Sequence, residues 1–428
     1  MNFAIVLWYL RSPTLFYHFP FWISVLALGW FFPQAVGGYL NLTEFPDYAY
    51  ADGMFFASSC ALATWGGYAW AHGREDVGSS WLDWRFDLDR LYWACSALCL
   101  FGFYFQWKLW SLPMELIMET QWSGVTVKYL FLSSVFRFGF IGLWMLYLCQ
   151  PRIWVPKLLV FIVPSFYVLF RTAVLEGRRE AMMDLLAYAL VGLWLGRGKA
   201  VPRWVIACGL AFGLILINAI GTYRALLFYG DKTFSERVSD IVSADYVETS
   251  REMMSDSGSE FKNYIYYRYI YQDMGRYDLG LFHWNKLVFN YVPAQIVGRG
   301  LKESLMIPLL DANETAQREY GFNYMRGSTS TGYRDAFGSF GWFGFIKFLA
   351  IGYIMGVLYR HAERGGLLAR IMYVYLLGAA MLAVTHTTHR ILFSSWVYFF
   401  GLGFPAFIWA RLRAHEEQGD SLAEVIYE

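Results

Sequence analysis

Charged residues are scarce in this sequence. Only 16% of its 428 residues are Asp, Glu, Lys or Arg, whereas a soluble domain has about 25%. The 35 Lys and Arg residues nearly balance the 34 Asp and Glu residues, so the chain lacks the basic field that recruits nucleic acid. Since 57% of the residues are hydrophobic, the composition argues against nucleic acid as a partner and favours a protein embedded in the lipid bilayer.

The sequence also lacks cysteines in loops and the alternation typical of barrel strands. Its apolar runs are continuous, whereas a membrane β-barrel alternates apolar and polar residues over strands of about ten residues. The cysteines fall inside these runs, without the spacing of a disulfide framework. They are Cys60, Cys95, Cys99, Cys149 and Cys208. The pattern therefore predicts an all-α polytopic membrane protein.

Ten apolar runs are long enough to cross a bilayer, since about 20 residues of helix span a hydrocarbon core of about 30 Å. The predicted spans are 19–40, 53–72, 91–110, 125–149, 153–171, 181–197, 203–223, 337–359, 367–385 and 391–411. Residues 1–223 thus form an N-terminal membrane half of seven helices, and residues 337–428 a C-terminal half of three helices with a short cytoplasmic tail. Residues 224–336 are too charged to cross and rich in aromatics, which predicts a long, partly helical outer loop.

The placement of Lys and Arg in the short loops predicts the orientation of the chain. Basic residues in short loops stay on the cytoplasmic side. Alternate loops carry them, for example at Arg74, Arg152 and Lys199, whereas the opposite loops 41–52 and 111–124 contain acidic residues and neither Lys nor Arg. Both termini are therefore expected in the cytoplasm.

Four arginines break this rule on the predicted outer side. They are Arg171, Arg178, Arg179 and Arg390. Arginines near helix ends also reach lipid headgroups without any further role. A guanidinium group matches phosphate bidentately and stays charged when it is partly desolvated. These residues are therefore candidates for holding a lipid pyrophosphate, although a transporter of acidic substrates could use them as well.

One carboxylate and two histidines lie on the same predicted side. Asp335 sits in Ser328–Gly344, at the predicted start of the eighth span, where it could act as general base or hold an arginine. A helix dipole also favours a carboxylate at that place. His386 and His389 are one helical turn apart, but a metal site needs a third ligand that the sequence does not nominate. We therefore take Asp335, His386 and His389 as catalytic candidates and expect no metal.

The long loop is crowded with tyrosines over Phe261–Met274, which predicts an amphipathic or buried helix lying on the bundle. Core packing explains such residues one by one. Stacking of their rings on sugars is the functional alternative. The candidates for glycan contact are Tyr264, Tyr267, Tyr271, His283 and Tyr333, and a structural role for His283 also stays open.

The motif Gly177-Arg178-Arg179, the long outer loop and residues 328–345 together resemble the Wzy-type polymerases of O-antigen and exopolysaccharide repeat units, in the O-antigen polymerase and ligase superfamily. The resemblance covers roughly the second half of the chain. It implies a GT-C-like helical bundle with one long periplasmic loop, in the bacterial inner membrane. Asp335 stands where many relatives carry Glu, and His283 is the candidate counterpart of the loop histidine of the ligases.

The resemblance implies transfer of a glycan from an undecaprenyl-pyrophosphate-linked donor to a lipid-linked oligosaccharide repeat unit, without nucleotide, cofactor or metal. The outer arginines would bind the donor pyrophosphate, and the catalytic candidates would deprotonate the acceptor hydroxyl. A chain-length regulator and a flippase are the implied protein partners. The alternatives are an O-antigen-ligase-like glycosyltransferase and a lipid-linked glycan flippase or transporter. Charges clustered at one face, without visible internal repeats, favour an enzyme.

Overall fold

The structure, a computed structural model, describes most of the chain. The described residues are 2–12, 14–40, 46–74, 80–113, 124–149, 155–174, 179–206, 208–209, 259–292, 294–309, 312–323 and 330–412, with the single residues 116, 236 and 243. Within these ranges the chain forms helices and turns, and the sole β-type pairing is an isolated bridge between Phe86 and Arg411. The all-α prediction is confirmed for this part of the protein.

The helices are numbered here in chain order. They are α1 Asn2–Arg11, α2 Phe19–Leu40, α3 Asp47–His72, α4 Leu88–Trp110, α5 Val125–Cys149, α6 Val155–Val174, α7 Arg179–Arg197, α8 Ser259–Met274, α9 Leu281–Tyr291, α10 Ala294–Val297, α11 Arg299–Ser304, α12 Ala312–Tyr320, α13 Gly332–Phe340, α14 Phe345–Glu363, α15 Leu367–Thr385 and α16 Arg390–Ala410. Helix α5 bends after Ser133, and α16 contains the two π-helical turns Arg390–Ser394 and Phe399–Gly403.

Five helical segments of the described chain are long and apolar enough to cross a membrane. They are α2, α5, the segment Gly332–Glu363 that contains α13 and α14, α15 and α16. The predicted spans 53–72, 91–110, 153–171 and 181–197 coincide with helices α3, α4, α6 and α7. Their crossing of the membrane stays a prediction. The predicted span 203–223 lies, after residue 209, outside the described residues.

The helix that covers the predicted span 337–359 is interrupted near its start. The chain forms α13 before that point, turns through the 3-10 segment Gly341–Gly344, and begins α14 at Phe345. Helix α13 ends at Gly341 because this residue has a φ of 56°, a conformation that glycine adopts without the strain imposed by a Cβ atom. Asp335 therefore lies inside a separate short helix and not at the lip of a longer one.

Helix α15 occupies the centre of the bundle. It packs against α2, α5, α7 and α14, and most of its side chains from Leu368 to Val384 are fully buried. Helix α14 packs in turn along α3, where a Cβ on Gly352 would overlap the backbone oxygen of Thr64. Small residues allow such close approach between apolar helices. These contacts fix the positions of the two helices that lead into the site described below.

Helix α8 joins the predicted loop region to the bundle. It packs against α2, α3 and α13. The Tyr264 hydroxyl donates to Gly53 O at 2.6 Å, and the fully buried Arg268 pairs with Asp52 at 3.0 Å. A buried guanidinium needs such a partner because an unpaired charge is costly away from water. The tyrosine-rich segment is thus a docked helix in the structure.

Candidate functional site

A buried ion pair links α13 to α14. The Thr331 side chain caps α13 by accepting from Arg334 N at 3.2 Å, and the helix then presents Asp335 and Ser339 on one face, four residues apart. The Lys347 ammonium lies 3.3 Å from Asp335 Oδ1 and 2.7 Å from Ser339 Oγ. Because Asp335 and Lys347 are 7% and 6% exposed, each charge depends on the other for its stability.

The same carboxylate holds the turn between α15 and α16. Thr388 N donates to Asp335 Oδ2 at 2.6 Å, and Thr388 Oγ1 donates to Asp335 Oδ1 at 2.8 Å. A Cβ on Gly332 would overlap the carbonyl oxygen of Ala383, so the start of α13 lies directly against the end of α15. Both carboxylate oxygens accept hydrogen bonds, so Asp335 fixes this junction.

Two buried histidines extend the cluster. His283, from α9, places Nε2 at 2.7 Å from Lys347 Nζ and Nδ1 at 3.2 Å from His389 Nδ1. The two imidazole planes differ by 7°, so this hydrogen bond can lie in both ring planes. Burial, Lys347 and His389 hold the pKa of His283 far below its usual value. Burial and the charges of Lys286, Lys347 and Arg390 lower the pKa of His389 to about 4. Both rings are neutral at pH 7.

The series of hydrogen-bonded groups Lys347, His283 and His389 ends at the Nε2 atom of His389. The atom is buried, and the described residues offer it no hydrogen-bond partner. The ring of Phe393 lies 5.6 Å from the His389 ring and 4.9 Å from that of His283. A buried polar atom without a partner is costly. Because it lies beside a cluster of ionisable groups, this atom is a candidate for contact with a ligand.

The surroundings of His389 attract anions. Lys286, Lys347 and Arg390 all act electrostatically on it. The carboxylates of the cluster are Asp335 and Asp278, and burial raises the pKa of Asp278. Cations outnumber carboxylates around the ring, which suits a phosphate. In the described part of the chain, no three His, Cys, Asp or Glu side chains come together as metal ligands.

The structure brings together some of the predicted catalytic residues. Asp335 and His389 belong to the cluster through Thr388 and His283. His386 caps the end of α15, half-buried, with Nδ1 at 2.8 Å from Thr385 Oγ1. His386 therefore lies in the turn that carries Thr388 and His389, with a hydrogen bond to Thr385.

The predicted pyrophosphate-binding arginines do not all share this place. Arg390 begins α16 next to His389. Arg171, near the end of α6, lies over the ring of Trp110 at 4.0 Å. Arg178 lies outside the described residues, and Arg179 begins α7 with only its backbone described. The joint role of the four arginines stays a prediction.

The predicted glycan-contacting tyrosines are mostly buried. Tyr264 and Tyr333 pack in the main core, and Tyr267 donates its hydroxyl hydrogen to Asn313 within a smaller core. Tyr271 is half-buried against Gly338 of α13. His283 is buried in the Lys347 cluster. A glycan would reach the rings of Tyr264, Tyr267 and Tyr333 only if the core opened.

Sequence reasoning missed Lys347 and the ion pair of Arg137 with Asp184. Arg137 of α5 lies 3.1 Å from Asp184 of α7, whose side chain is 4% exposed. All three residues sit inside predicted spans. Ionisable residues within such spans are rare and mark functional or structural centres. The sequence therefore contained the signal that identifies Lys347, Arg137 and Asp184.

The described part of the chain is therefore all-helical, with helices suited to a membrane. Its buried cluster of Asp335, Lys347, His283 and His389 lies where α9, α13, α14 and the turn before α16 meet. Comparisons with protein-family models, with curated proteins and with solved structures found no match to this chain.

Proposed function

We propose that this protein polymerises lipid-linked glycan repeat units at the periplasmic face of the bacterial inner membrane. It would transfer a glycan from an undecaprenyl-pyrophosphate-linked donor to a sugar hydroxyl of a lipid-linked repeat unit. The observation that carries the proposal is the buried, unpartnered Nε2 atom of His389 among the described residues, with Lys286, Lys347 and Arg390 around its ring. An anionic leaving group fits this charge.

The reaction requires that the acceptor oxygen bond to the anomeric carbon while the bond from that carbon to the phosphate oxygen breaks. The electron pair of the broken bond goes to the pyrophosphate, and Arg390 and Lys286 stabilise the charge that develops there. The acceptor proton needs a base. Asp335 has donors on both oxygens, so we assign the acceptor proton to His386 and contact with the leaving group to His389.

The proposed topology has ten spans, both termini in the cytoplasm, and the long loop with the cluster in the periplasm. Helices at the predicted spans 53–72, 91–110, 153–171 and 181–197 support this arrangement. The cluster lies where α9, α13 and the turn 386–388 meet, and this position also supports the arrangement. An O-antigen-ligase-like transfer would use the same groups with a different acceptor.

The test is transfer by purified protein in detergent with a synthetic lipid-linked repeat unit, read as a ladder of longer products. Arg390→Ala and Lys286→Ala should each lower kcat/KM by about 10- to 100-fold, since each removes a charge-assisted contact worth about 1.5–3 kcal/mol. The matched control is Arg299→Ala, at an exposed position of α11. A single transfer product would indicate a ligase. Wild-type rates in both variants would overturn the proposed site.

A further inference from the structure

Lys347 is linked to His389 by two successive hydrogen bonds through His283, and the direction of donation in both is fixed. An ammonium group donates and never accepts. His283 Nε2, 2.7 Å from Lys347 Nζ, must therefore be the unprotonated nitrogen of its ring. The single hydrogen of neutral His283 is then on Nδ1, which donates across 3.2 Å to His389 Nδ1. The hydrogen of His389 is left on Nε2.

We infer that Lys347 sets the tautomers of His283 and His389 and so makes the buried Nε2 of His389 a hydrogen-bond donor to the departing phosphate oxygen of the substrate. This inference rests on the proposed function for the identity of the substrate. Lys347 touches no substrate in this scheme. It is a positioning residue that acts through two rings.

The contacts of Lys347 agree with the charged form of its amine. Its three hydrogens meet His283 Nε2 at 2.7 Å, Ser339 Oγ at 2.7 Å, and the backbone and carboxylate oxygens of Asp335, both at 3.3 Å. Thr388 donates twice to Asp335, and both hydrogen bonds favour the ionised form of that carboxylate. An ionised carboxylate favours the ammonium form of its neighbour.

The alternative tautomer conflicts with this arrangement. If His389 were the base, its Nδ1 would carry the hydrogen and donate to His283. The hydrogen of His283 would then sit on Nε2 and meet the ammonium hydrogens of Lys347 at 2.7 Å. Protonating either ring is opposed by burial and by the nearby cations. The two hydrogen bonds from Lys347 through His283 to His389 therefore donate in this one direction while Lys347 is charged.

A donor at His389 Nε2 suits the leaving group. When the bond between the anomeric carbon and the phosphate oxygen breaks, the electron pair stays on that oxygen, and the N–H hydrogen bond strengthens as its charge grows. No proton needs to leave His389. The acceptor proton goes to His386, as in the proposed function. The charge of Lys347 polarises both histidines toward donation.

The tautomers are measured directly by NMR of protein labelled with ¹⁵N in histidine, because protonated and unprotonated ring nitrogens resonate far apart. Seven histidines are present, and His283→Gln and His389→Gln assign the two signals. The expected result is hydrogen on Nδ1 of His283 and on Nε2 of His389. Hydrogen on Nδ1 of His389 in the wild-type protein overturns the inference.

A charge-neutral variant tests the cause. Lys347→Met combined with Asp335→Asn removes both buried charges together and leaves neither unpaired. The His389 signal should become a mixture of tautomers, and kcat should fall by about 10-fold or more with KM for the lipid donor little changed. Lys199→Met, at an exposed position, should alter neither. An unchanged His389 tautomer in the double variant would show that Lys347 does not set it.

Undecaprenyl pyrophosphate, added as a product probe, should shift the Nε2 signal of His389 in the wild-type protein. The expected tautomers without transfer activity and without this shift would overturn the proposed function but leave the role of Lys347 standing. Transfer activity with the opposite tautomer would overturn the role of Lys347 but leave the proposed function standing.

Discussion

At the scale of single residues, Asp335 serves the site by holding other groups in place. Its oxygens receive hydrogen bonds from Lys347 and from the main chain and hydroxyl of Thr388. These three hydrogen bonds favour the ionised form and so reduce the tendency of the carboxylate to take up a proton, which makes it a weaker general base. Asp335 therefore organises the cluster, whereas in the proposed function His389 contacts the leaving group.

Thr388→Val should separate these roles. The change removes the hydroxyl that donates to Asp335 Oδ1 at 2.8 Å and keeps the backbone bond to Oδ2. A lost hydrogen bond to a buried charge lowers the free energy of unfolding by about 1–3 kcal/mol. Denaturant unfolding in detergent, followed by tryptophan fluorescence, measures this loss.

The matched control for that prediction is Thr64→Val. Thr64 is also fully buried, but its hydroxyl donates to Cys60 O within its own helix. The backbone hydrogen bonds of the helix do not depend on that contact, so a smaller loss is expected. Equal losses in the two variants would contradict the special role of the Asp335 contact.

At the scale of elements, the short helix α13 depends on close backbone contact with α15. Gly332→Ala would drive a methyl group into the carbonyl oxygen of Ala383 and displace Asp335 from Thr388. Lower thermal stability and loss of glycan transfer are expected, since overpacking typically costs about 1–3 kcal/mol. Melting temperature and ladder formation are the two measurements.

Gly300→Ala is the control for this change. Gly300 lies in α11, where an added Cβ would have no neighbour within 4 Å among the described residues. Alanine favours a helix over glycine by about 1 kcal/mol. The control should therefore keep or slightly raise the melting temperature. A similar decrease in both variants would show that the contact at Gly332 does not matter.

The sequence could predict helices better than their interruptions. The runs 19–40 and 367–385 coincide with α2 and α15 because an apolar stretch of helical length has few other options in lipid. The interruption of the helix at Gly341 was not predicted, because the aromatic residues around it continue the apolar run of the predicted span. A Cβ at Gly341 would lie 2.9 Å from the ring of Tyr277, and this close approach involves a residue far away in the sequence.

The site was predictable only in part, for a similar reason. Asp335, His283 and His389 stood out as polar residues on one predicted side. Lys347 carried a signal of its own, as a single charge inside a predicted span, but that signal does not name its partner. Its contact with His283 spans 64 residues of sequence, and no local pattern reveals which distant partner will satisfy a buried charge.

At the scale of the whole molecule, the proposed topology places the chain after α9 in the periplasm and the chain after α16 in the cytoplasm. Alkaline phosphatase, which is active only in the periplasm, should be active when it is fused after Val292 and inactive after Leu412. A fluorescent protein that matures only in the cytoplasm should give the reverse pattern. Activity of the phosphatase at both positions would contradict the three crossings predicted between Val292 and Leu412.

The cluster also has a consequence for the order in which the protein is made. Its members come from α9, α13, α14 and the turn before α16. A nascent chain that has emerged only as far as Thr385 can already pair Asp335 with Lys347, but it lacks Thr388 and His389. The cluster is therefore complete only when the last helix is inserted, and termination of the chain between Lys347 and Thr388 leaves Lys347 paired with His283 but without His389.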